Sequence, residues 1–403
     1  MIESFVSRPH SIAAGANPIA NGGSRKIRNL AFVGCGFVAD LYAGAFSVHP
    51  ELSLRGVFDI DVARRNKFAA HYKTQAYATL DELLADSEID LILNLTNPKA
   101  HYEVSRACLL ANKHVYSEKP LALQLDNAAE LVELARMRGL MLSGAPCSLL
   151  SETAQTLWKA VRENEVGSIR AVYAELDDGM LHRMPYERWV SESGAPWPYQ
   201  DEFEVGNTLE HVGYYLTWLT AFFGPVVSVT SFGSVQVTDK RPDEPLQHES
   251  ADLSVACLKF DSGMVARLTC SIIGPHNHQL QIIGDDGVFG TDDCWFYRSP
   301  VWIRRRLQIR RRVLLTPWRR ILRLVGVHSP LPKRKGSAQM DWLRGIADMA
   351  ESVESGRPHR LSAEFALHNC EVMLAIDAGL KAPGHKTILS RFDPIEPMPW
   401  SIE

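Results

Sequence analysis

Two short segments of this 403-residue chain carry groups that could do redox chemistry together. The first is a glycine turn after an apolar run, Gly34-Cys35-Gly36-Phe37-Val38-Ala39. Glycines at this spacing let backbone N–H groups at a helix start approach a dinucleotide pyrophosphate. The second is Glu118-Lys119-Pro120, where a short apolar strand ends in a lysine. An ammonium group there could stabilise a substrate oxygen while hydride leaves the adjacent carbon.

An acidic residue follows the glycine turn at the spacing that a dinucleotide site requires. Asp59 ends the next predicted strand, where a carboxylate accepts the ribose hydroxyl of NAD(H). Because this carboxylate would repel a 2′-phosphate, the sequence favours NAD(H). Arg64 follows shortly after and keeps NADP(H) open as the alternative cofactor. A tight strand–helix turn without a ligand is the other interpretation of the glycines.

The surrounding pattern predicts the elements that must position these groups. Strands and helices alternate over residues 27–146, which predicts an α/β fold with a Rossmann-type, doubly wound parallel sheet. Residues 147–403 contain β-rich runs separated by turns, which predict an α+β domain with a large, mostly antiparallel open sheet. A helix is predicted over 207–223. Residues 1–26, rich in Ala, Asn, Gly, Ser and Pro, are expected to form a flexible arm.

Composition excludes several classes of protein. With 46% hydrophobic and 22% charged residues, the chain is expected to be globular and soluble. Its seven cysteines are scattered and form no Cys-x-x-Cys pair, which argues against a disulfide framework and favours the cytoplasm. No apolar run is long enough for a membrane span, and the N-terminus does not resemble a signal peptide. His276 and His278 have no further ligands close in sequence, so no metal is expected.

Taken together, the motifs resemble the Gfo/Idh/MocA oxidoreductases over roughly residues 27–385. The resemblance is carried by Gly34-x-Gly36-x-x-Ala39, Asp59, Thr96-Asn97-Pro98-x-x-His101 and Glu118-Lys119-Pro120-Leu121-Ala122. It implies NAD(P) as cofactor, Lys119 as the active-site lysine, and Glu118 and Pro120 as residues that shape the cofactor-facing turn. It also implies cofactor contacts from Thr96, Asn97, Pro98 and His101. Members mostly act on sugars, nucleotide sugars or inositols, and their open sheets commonly pack face to face, so a homodimer or tetramer is expected.

One helix departs from the family pattern. Family members usually carry an Asp and a His four residues apart, whereas this chain has His211 and Tyr215 at those places. Both fall on one helical face, so we expect Tyr215 to exchange the substrate proton, its pKa lowered by Lys119. His211 would orient the substrate or relay the proton, and Glu210 is expected to be structural. Packing of His211 and Tyr215 against the sheet is the alternative.

A loop rich in aromatic residues supplies further candidates for substrate binding. His182, Tyr186 and Trp189 could close over a sugar ring by stacking and hydrogen bonding. Packing of these side chains among themselves explains the composition equally well. Asn207, at the start of the predicted helix, completes the predicted substrate-binding set with Lys119, His211 and Tyr215.

A basic insertion at about 301–335 stands out from an otherwise acidic chain. It holds twelve Lys and Arg residues and no acidic residue, and the remaining 31 basic and 47 acidic residues give a net charge of −16. The segment Thr316–Gly326 has the capping residues and apolar spacing of an amphipathic helix. Such a helix could contact an anionic membrane or receive a pyrophosphate-bearing sugar. A solvated or oligomer-packed insertion is the alternative; nothing indicates a nucleic-acid-binding fold.

The sequence therefore predicts an NAD(P)-dependent oxidoreductase that transfers hydride to or from a sugar ring carbon. The substrate is expected to be a nucleotide- or lipid-linked sugar in glycan or polysaccharide assembly. The location is expected to be cytoplasmic, peripheral to the inner face of the membrane. Two alternatives remain: an NAD-dependent glycoside hydrolase on the same fold, and a non-catalytic regulatory protein that binds NAD and sugar.

Overall fold

The computed structural model describes residues 26–240 and 250–402. The predicted flexible arm therefore lies outside the described residues except for Lys26, whose ammonium group is 3.1 Å from the Glu354 carboxylate. In the described ranges, no helix has both the length and the apolar character needed to cross a membrane.

The N-terminal part of the chain alternates strands and helices. The strands are β1 (Asn29–Val33), β2 (Ser53–Phe58), β3 (Gln75–Ala76), β4 (Leu91–Asn94), β5 (His114–Ser117) and β6 (Leu142–Gly144). The helices are α1 (Phe37–Ala45), α2 (Val62–Tyr72), α3 (Leu80–Ala85), α4 (His101–Leu110) and α5 (Leu125–Arg138). Within the described residues the strands form one parallel sheet in the order β3-β2-β1-β4-β5-β6. Because the order reverses between β1 and β4, their carboxyl ends flank the crevice where such sheets bind ligands.

The rest of the chain is built on a second sheet. Its strands are β7 (Ile169–Asp177), β8 (Val226–Ser234), β9 (Leu253–Phe260), β10 (Val265–Ser271), β11 (Leu280–Gly284), β12 (Gly287–Thr291), β13 (Val301–Ile309), β14 (Arg312–Leu315), β15 (Arg320–Ile321) and β16 (Gly384–Thr387). Its helices are α6 (Glu152–Arg162), α7 (Tyr199–Val205), α8 (Asn207–His211), α9 (Gly213–Phe223), α10 (Arg344–Ser355) and α11 (Ala363–Asp377).

The second sheet has the order β14-β13-β12-β11-β7-β10-β9-β8-β16 over the described residues, with β15 beside β13. The pairing is antiparallel except between β7 and β10. Residues of β9 alternate between buried and accessible positions, as expected for a sheet with one covered face. The predicted fold class, a Rossmann-type parallel sheet followed by a mostly antiparallel sheet, is confirmed.

One continuous apolar core joins the two parts. Helix α11 packs on α5 and β6 of the first part and on β8 of the second. Across the same junction, the rings of Tyr42 on α1 and Trp342 lie 5.4 Å apart. This shared core holds the crevice of the first sheet against helices α7, α8 and α9 of the second part.

The structure corrects two predicted helices. The helix predicted over 207–223 consists of two successive segments, α8 and α9, with Val212 between them. The amphipathic helix predicted over Thr316–Gly326 is wrong, because this stretch forms the short strand β15 and irregular structure. Strand β13 pairs with Arg320 and Ile321 there, and the Thr316 hydroxyl accepts a hydrogen bond from the Arg305 amide, at 3.1 Å, instead of capping a helix.

Candidate active site

The glycine turn crosses the carboxyl ends of the central strands. Gly34 has a φ of +101°, and its amide donates to the Phe58 carbonyl oxygen of β2 at 2.8 Å. A Cβ atom at Gly34 would lie 2.4 Å from the Leu95 carbonyl oxygen after β4. Only glycine combines this backbone conformation with so close an approach. The turn is therefore fixed at the switch point of the sheet.

The next glycine opens a space for an anion. Gly36 is the N-cap of α1 and makes no side-chain capping bond, so the first backbone N–H groups of the helix face outwards. A Cβ atom built on Gly36 would meet no atom within 4 Å. Phe37 and Val38 begin the helix half-buried, and fully buried Ala39 lets α1 pack closely on the sheet. This arrangement fits the pyrophosphate of a dinucleotide.

Asp59 is tied into the same turn. Its carboxylate accepts hydrogen bonds from the backbone amides of Cys35 and Asp61, both at 2.8 Å. Because each carboxylate oxygen has two lone pairs, it can still accept a ribose hydroxyl. The Arg64 guanidinium lies 3.7 Å from this carboxylate. Asp59 thus combines a structural bond to the glycine turn with a negative charge at the predicted ribose position.

Residues of the predicted cofactor loop have different surroundings from one another. His101 is buried, with Nδ1 2.7 Å from the Pro120 carbonyl oxygen and Nε2 3.0 Å from that of Thr96. Burial lowers the pKa of His101. Its expected contact with the cofactor is corrected, because the ring instead ties the loop after β4 to the lysine turn. Pro98 is also buried, whereas Asn97 is exposed at the start of this loop.

Glu118 anchors the turn that carries Lys119 through two hydrogen bonds. It is buried, and its carboxylate accepts a hydrogen bond from the Tyr42 hydroxyl at 2.6 Å and from the Lys119 backbone amide at 3.2 Å. Burial, together with the Glu118 carboxylate, raises the pKa of Tyr42. The tyrosine therefore stays a hydrogen-bond donor, which fixes the start of the turn.

Lys119 forms an ion pair with a residue of the second part of the chain. Its Nζ contacts Glu210 Oε2 on α8, and the two side chains are only 14% and 13% exposed. Burial alone would lower the pKa of Lys119, but the Glu210 carboxylate outweighs it and the pKa is raised. Glu210 was expected to be structural; the structure corrects this, since its carboxylate meets the ammonium group.

The expected pairing of Lys119 with Tyr215 is also corrected. Tyr215 is fully buried, and its hydroxyl donates to the His278 carbonyl oxygen. Burial raises the pKa of Tyr215 well above its usual value. The neighbouring Tyr214 interacts electrostatically with Lys119 instead: burial raises the pKa of Tyr214, and the ammonium group opposes that rise. Glu210 and Tyr214, four residues apart, share the helical face towards the lysine.

His211 lies between two carboxylates. Its Nδ1 is 2.6 Å from Asp178 and its Nε2 is 2.7 Å from Glu202. Burial would lower the pKa of His211, but these two carboxylates raise it well above its usual value. Because both ring nitrogens lie at ion-pair distance from these carboxylates, neither is free to orient a substrate or relay a proton. The ring holds α7 and the end of β7 against helix α8.

The aromatic loop packs on itself. Tyr186 is buried and donates to the Lys240 carbonyl oxygen at 3.0 Å, and Trp189 packs edge-on against Trp197. His182 lies on a short 3₁₀ turn beside this cluster. Asn207 is buried and donates to Cys270 Sγ at 3.3 Å. Tyr186 is therefore unavailable to a substrate, which corrects the prediction for this residue, whereas Asn207 Oδ1 has no hydrogen-bond partner among the described residues.

Sequence reasoning missed the residues that surround Lys119 and His211. They are Glu210, Tyr214, Asp178, Glu202 and Trp295, whose ring lies 5.9 Å from Tyr214 and 6.1 Å from His211. The i, i+4 spacing of Glu210 and Tyr214 was a usable signal. Asp178, Glu202 and Trp295 gave none, because they come from elements that only the tertiary fold brings together.

Comparison with known proteins agrees with this geometry. Residues 28–145 match the model of the Gfo/Idh/MocA oxidoreductase family, NAD-binding Rossmann fold, and residues 154–290 match the C-terminal domain of the same family. An uncharacterized oxidoreductase of Synechocystis is 26% identical over 281 residues, which cover 66% of this chain and 73% of that protein. Bovine trans-1,2-dihydrobenzene-1,2-diol dehydrogenase is 25% identical over 58% of this chain and 65% of its own length.

A solved structure supports the fold. The WlbA dehydrogenase of Chromobacterium violaceum, crystallised with NADH and UDP-GlcNAcA, superimposes with a TM-score of 0.70 at 19% identity, over 93% of this chain and 100% of that one. With both domain models matched in order, the chain belongs to the Gfo/Idh/MocA family of oxidoreductases, which have an NAD-binding Rossmann fold.

Proposed function

We propose that this protein is an NAD(H)-dependent dehydrogenase or reductase of a CH–OH carbon in a sugar ring, acting on a nucleotide- or lipid-linked sugar. The observation that carries the proposal is the Lys119–Glu210 ion pair at the carboxyl end of β5, in the same sheet as the glycine turn. It combines a cation and a carboxylate at the crevice that fits a dinucleotide. The similar diol dehydrogenase supports reaction at a CH–OH carbon, and the similar dehydrogenase crystallised with a nucleotide sugar supports the substrate class.

In this proposal each residue has a separate role at the substrate hydroxyl. The bound nicotinamide supplies the hydride acceptor or donor. The Lys119 ammonium donates a hydrogen bond to the reacting oxygen and stabilises its alkoxide character. The Glu210 carboxylate takes the hydroxyl proton, directly or through Lys119 Nζ, and returns it in the reductive direction. Tyr214, close to Lys119, donates to a neighbouring oxygen of the ring.

Cofactor choice gives a test that needs no substrate. In the variant Asp59→Ser, the affinity for NADPH relative to NADH should rise about 100-fold, because the charge that repels a 2′-phosphate is lost and Arg64 is released. The measurement is fluorescence titration of each reduced cofactor. The double variant Asp59→Ser/Arg64→Ala is the control and should lose most of the gain. Unchanged selectivity in Asp59→Ser would contradict the role of this carboxylate.

The reaction itself is tested with a panel of nucleotide sugars and glycosides. We expect stoichiometric NADH formation from NAD⁺ with a UDP-linked sugar. Glycoside cleavage without net NADH would favour the NAD-dependent hydrolase, which recycles its cofactor. Tight NADH binding with no turnover of any compound would favour the regulatory protein. Net turnover that survives the loss of both Lys119 and Glu210 would refute the proposed site.

Exposed apolar side chains on the outer face of the second sheet are consistent with a homo-oligomer. Tyr173 on β7, Phe232 on β8 and Val265 on β10 are 39%, 51% and 45% exposed there. We therefore propose that this face pairs with a second copy, which would bury these side chains.

The basic insertion supports contact with an anionic membrane. Strands β13 and β14 form a hairpin in which Leu307 lies opposite Leu314 and Ile309 opposite Arg312. Leu307, Ile309 and Leu314 are 44%, 54% and 46% exposed and share one face. Arg310 and Arg311 form the tip, and Arg312 begins β14 directly after it. A tip of cations beside exposed aliphatic side chains suits the interface of an acidic bilayer.

The hairpin can be tested by vesicle co-sedimentation. Reversing the tip in Arg310→Glu/Arg311→Glu/Arg312→Glu should weaken binding to phosphatidylserine-containing vesicles about 100-fold, since each cation near the surface contributes about 1 kcal/mol. The variant Lys67→Glu/Arg138→Glu/Lys381→Glu makes the same charge change at exposed positions elsewhere and should bind like the wild type. Equal loss in both variants would show that only net charge matters.

A further inference from the structure

We propose that Asp178, His276 and His278 bind one divalent first-row transition-metal ion, such as Zn²⁺. Donor atoms of the three side chains lie within 4.8 Å of one another. The sequence gave no sign of this group, because the carboxylate comes from a different part of the chain than the two histidines. Two imidazoles and one carboxylate are donors that zinc and its neighbours in the first row prefer.

The backbone brings these donors together. Asp178 directly follows β7, and His276 and His278 lie in the connection between β10 and β11. Asp177 and Asn277 pair as an antiparallel bridge, with reciprocal backbone hydrogen bonds of 3.0 and 2.8 Å. Because His276 and His278 flank the bridged Asn277, both side chains leave the same side of an extended segment. The ligand set is therefore held by the sheet and not by a loose loop.

The spacing of the donors suits a metal ion. Asp178 Oδ1 and His278 Nε2 are 2.7 Å apart, at hydrogen-bond distance, and an ion that replaces the shared proton would separate them to about 3.3 Å, the spacing of neighbouring donors on a tetrahedral zinc ion. His276 is exposed, so its ring can rotate to complete the group and the ion can enter from solvent. His278 is only 1% exposed, and its Nδ1 has no hydrogen-bond partner among the described residues. Either ring nitrogen of His278 can thus serve the ion after a ring flip.

The surrounding charge is negative. Asp178 and Glu202 are buried carboxylates, and the two ring nitrogens of His211 lie 2.6 and 2.7 Å from them. Asp177 adds a further, partly buried carboxyl group beside Asp178. A buried excess of carboxylate charge is costly without a compensating cation. A divalent ion on Asp178 supplies that compensation.

Outer partners orient the two buried ligands. His211 lies 2.6 Å from the second Asp178 oxygen, and the Tyr215 hydroxyl donates to the His278 backbone carbonyl. The Trp295 ring packs 4.7 Å from that of His278. Outer partners that contact the ligands in this way are typical of metal sites, where they fix ligand orientation. Tyr215 thereby takes a positioning role in the second part of the chain.

Metal binding can be tested without the redox reaction. Tag-free protein is stripped with chelator, then titrated with Co²⁺ and Zn²⁺, with bound metal measured by mass spectrometry and Co²⁺ followed by its visible absorption. We expect one ion per chain. The variant His276→Ala should weaken binding about 100-fold, and because this side chain is exposed, the fold should persist. The matched control His385→Ala removes an exposed histidine on β16 and should leave binding unchanged.

NADH titration of the same samples separates this proposal from the proposed function. Both histidine variants should bind NADH like the wild type, since Lys119 and the glycine turn belong to the first sheet. Wild-type protein that holds no stoichiometric metal would overturn the metal site. So would equal metal binding by the His276→Ala and His385→Ala variants.

Discussion

Replacing Lys119 by methionine is expected to lower turnover about a thousandfold while NADH binding persists. Methionine keeps the length of the side chain and removes the ammonium group that meets Glu210. The reacting oxygen then loses its cationic donor, and the Glu210 carboxylate loses the partner that holds it in place. The measurement is NADH formation with the sugar found active in the panel, together with NADH affinity by fluorescence.

Two further variants show which helix residue works with Lys119. Glu210→Gln should lower turnover about 100-fold, because an amide cannot accept the hydroxyl proton. Tyr215→Phe should leave turnover within about twofold, since the buried hydroxyl bonds to the His278 carbonyl; losing that bond should cost about 1 kcal/mol of stability. The reverse result, with Tyr215→Phe inactive and Glu210→Gln active, would restore the pairing predicted from the sequence.

Adding one methyl group at Gly36 is expected to weaken NADH binding about 100-fold without a change in melting temperature. A Cβ atom at this position meets no protein atom within 4 Å, so the protein without cofactor tolerates it. The same methyl group would occupy the space that the pyrophosphate needs beside the first amides of α1. Calorimetric melting and fluorescence titration with NADH measure the two effects separately.

The matched change Gly34→Ala should behave differently. Its Cβ atom would lie 2.4 Å from the Leu95 carbonyl oxygen, and alanine disfavours a φ of +101°. We expect a loss of about 3 kcal/mol or more in the free energy of unfolding. If Gly36→Ala lowered stability as much as Gly34→Ala, the open space before α1 would not be a ligand site.

The basic segment marks where sequence reasoning failed for a physical reason. Thr316, Pro317 and Gly326 fit the caps of a helix, yet the stretch lies beside β13. Local capping contributes about 1 kcal/mol, whereas the unpaired edge of β13 offers several backbone hydrogen bonds at once. Local helix propensity contains no information about a strand edge that comes from elsewhere in the chain.

The sequence by itself determined the cofactor half of this protein. Its signals are local: Gly34 and Gly36 must follow a strand, Asp59 must end the next one, and Lys119 must lie at a strand end before a proline. The tertiary structure alone decided which residues meet Lys119. On helix α8, Glu210 contacts Lys119. The buried Tyr215 hydroxyl instead donates to a backbone carbonyl. Asp178 and Glu202 each lie next to one ring nitrogen of His211. Spacing along a helix fixes which residues share a face, but only packing against the second sheet fixes which face meets the crevice.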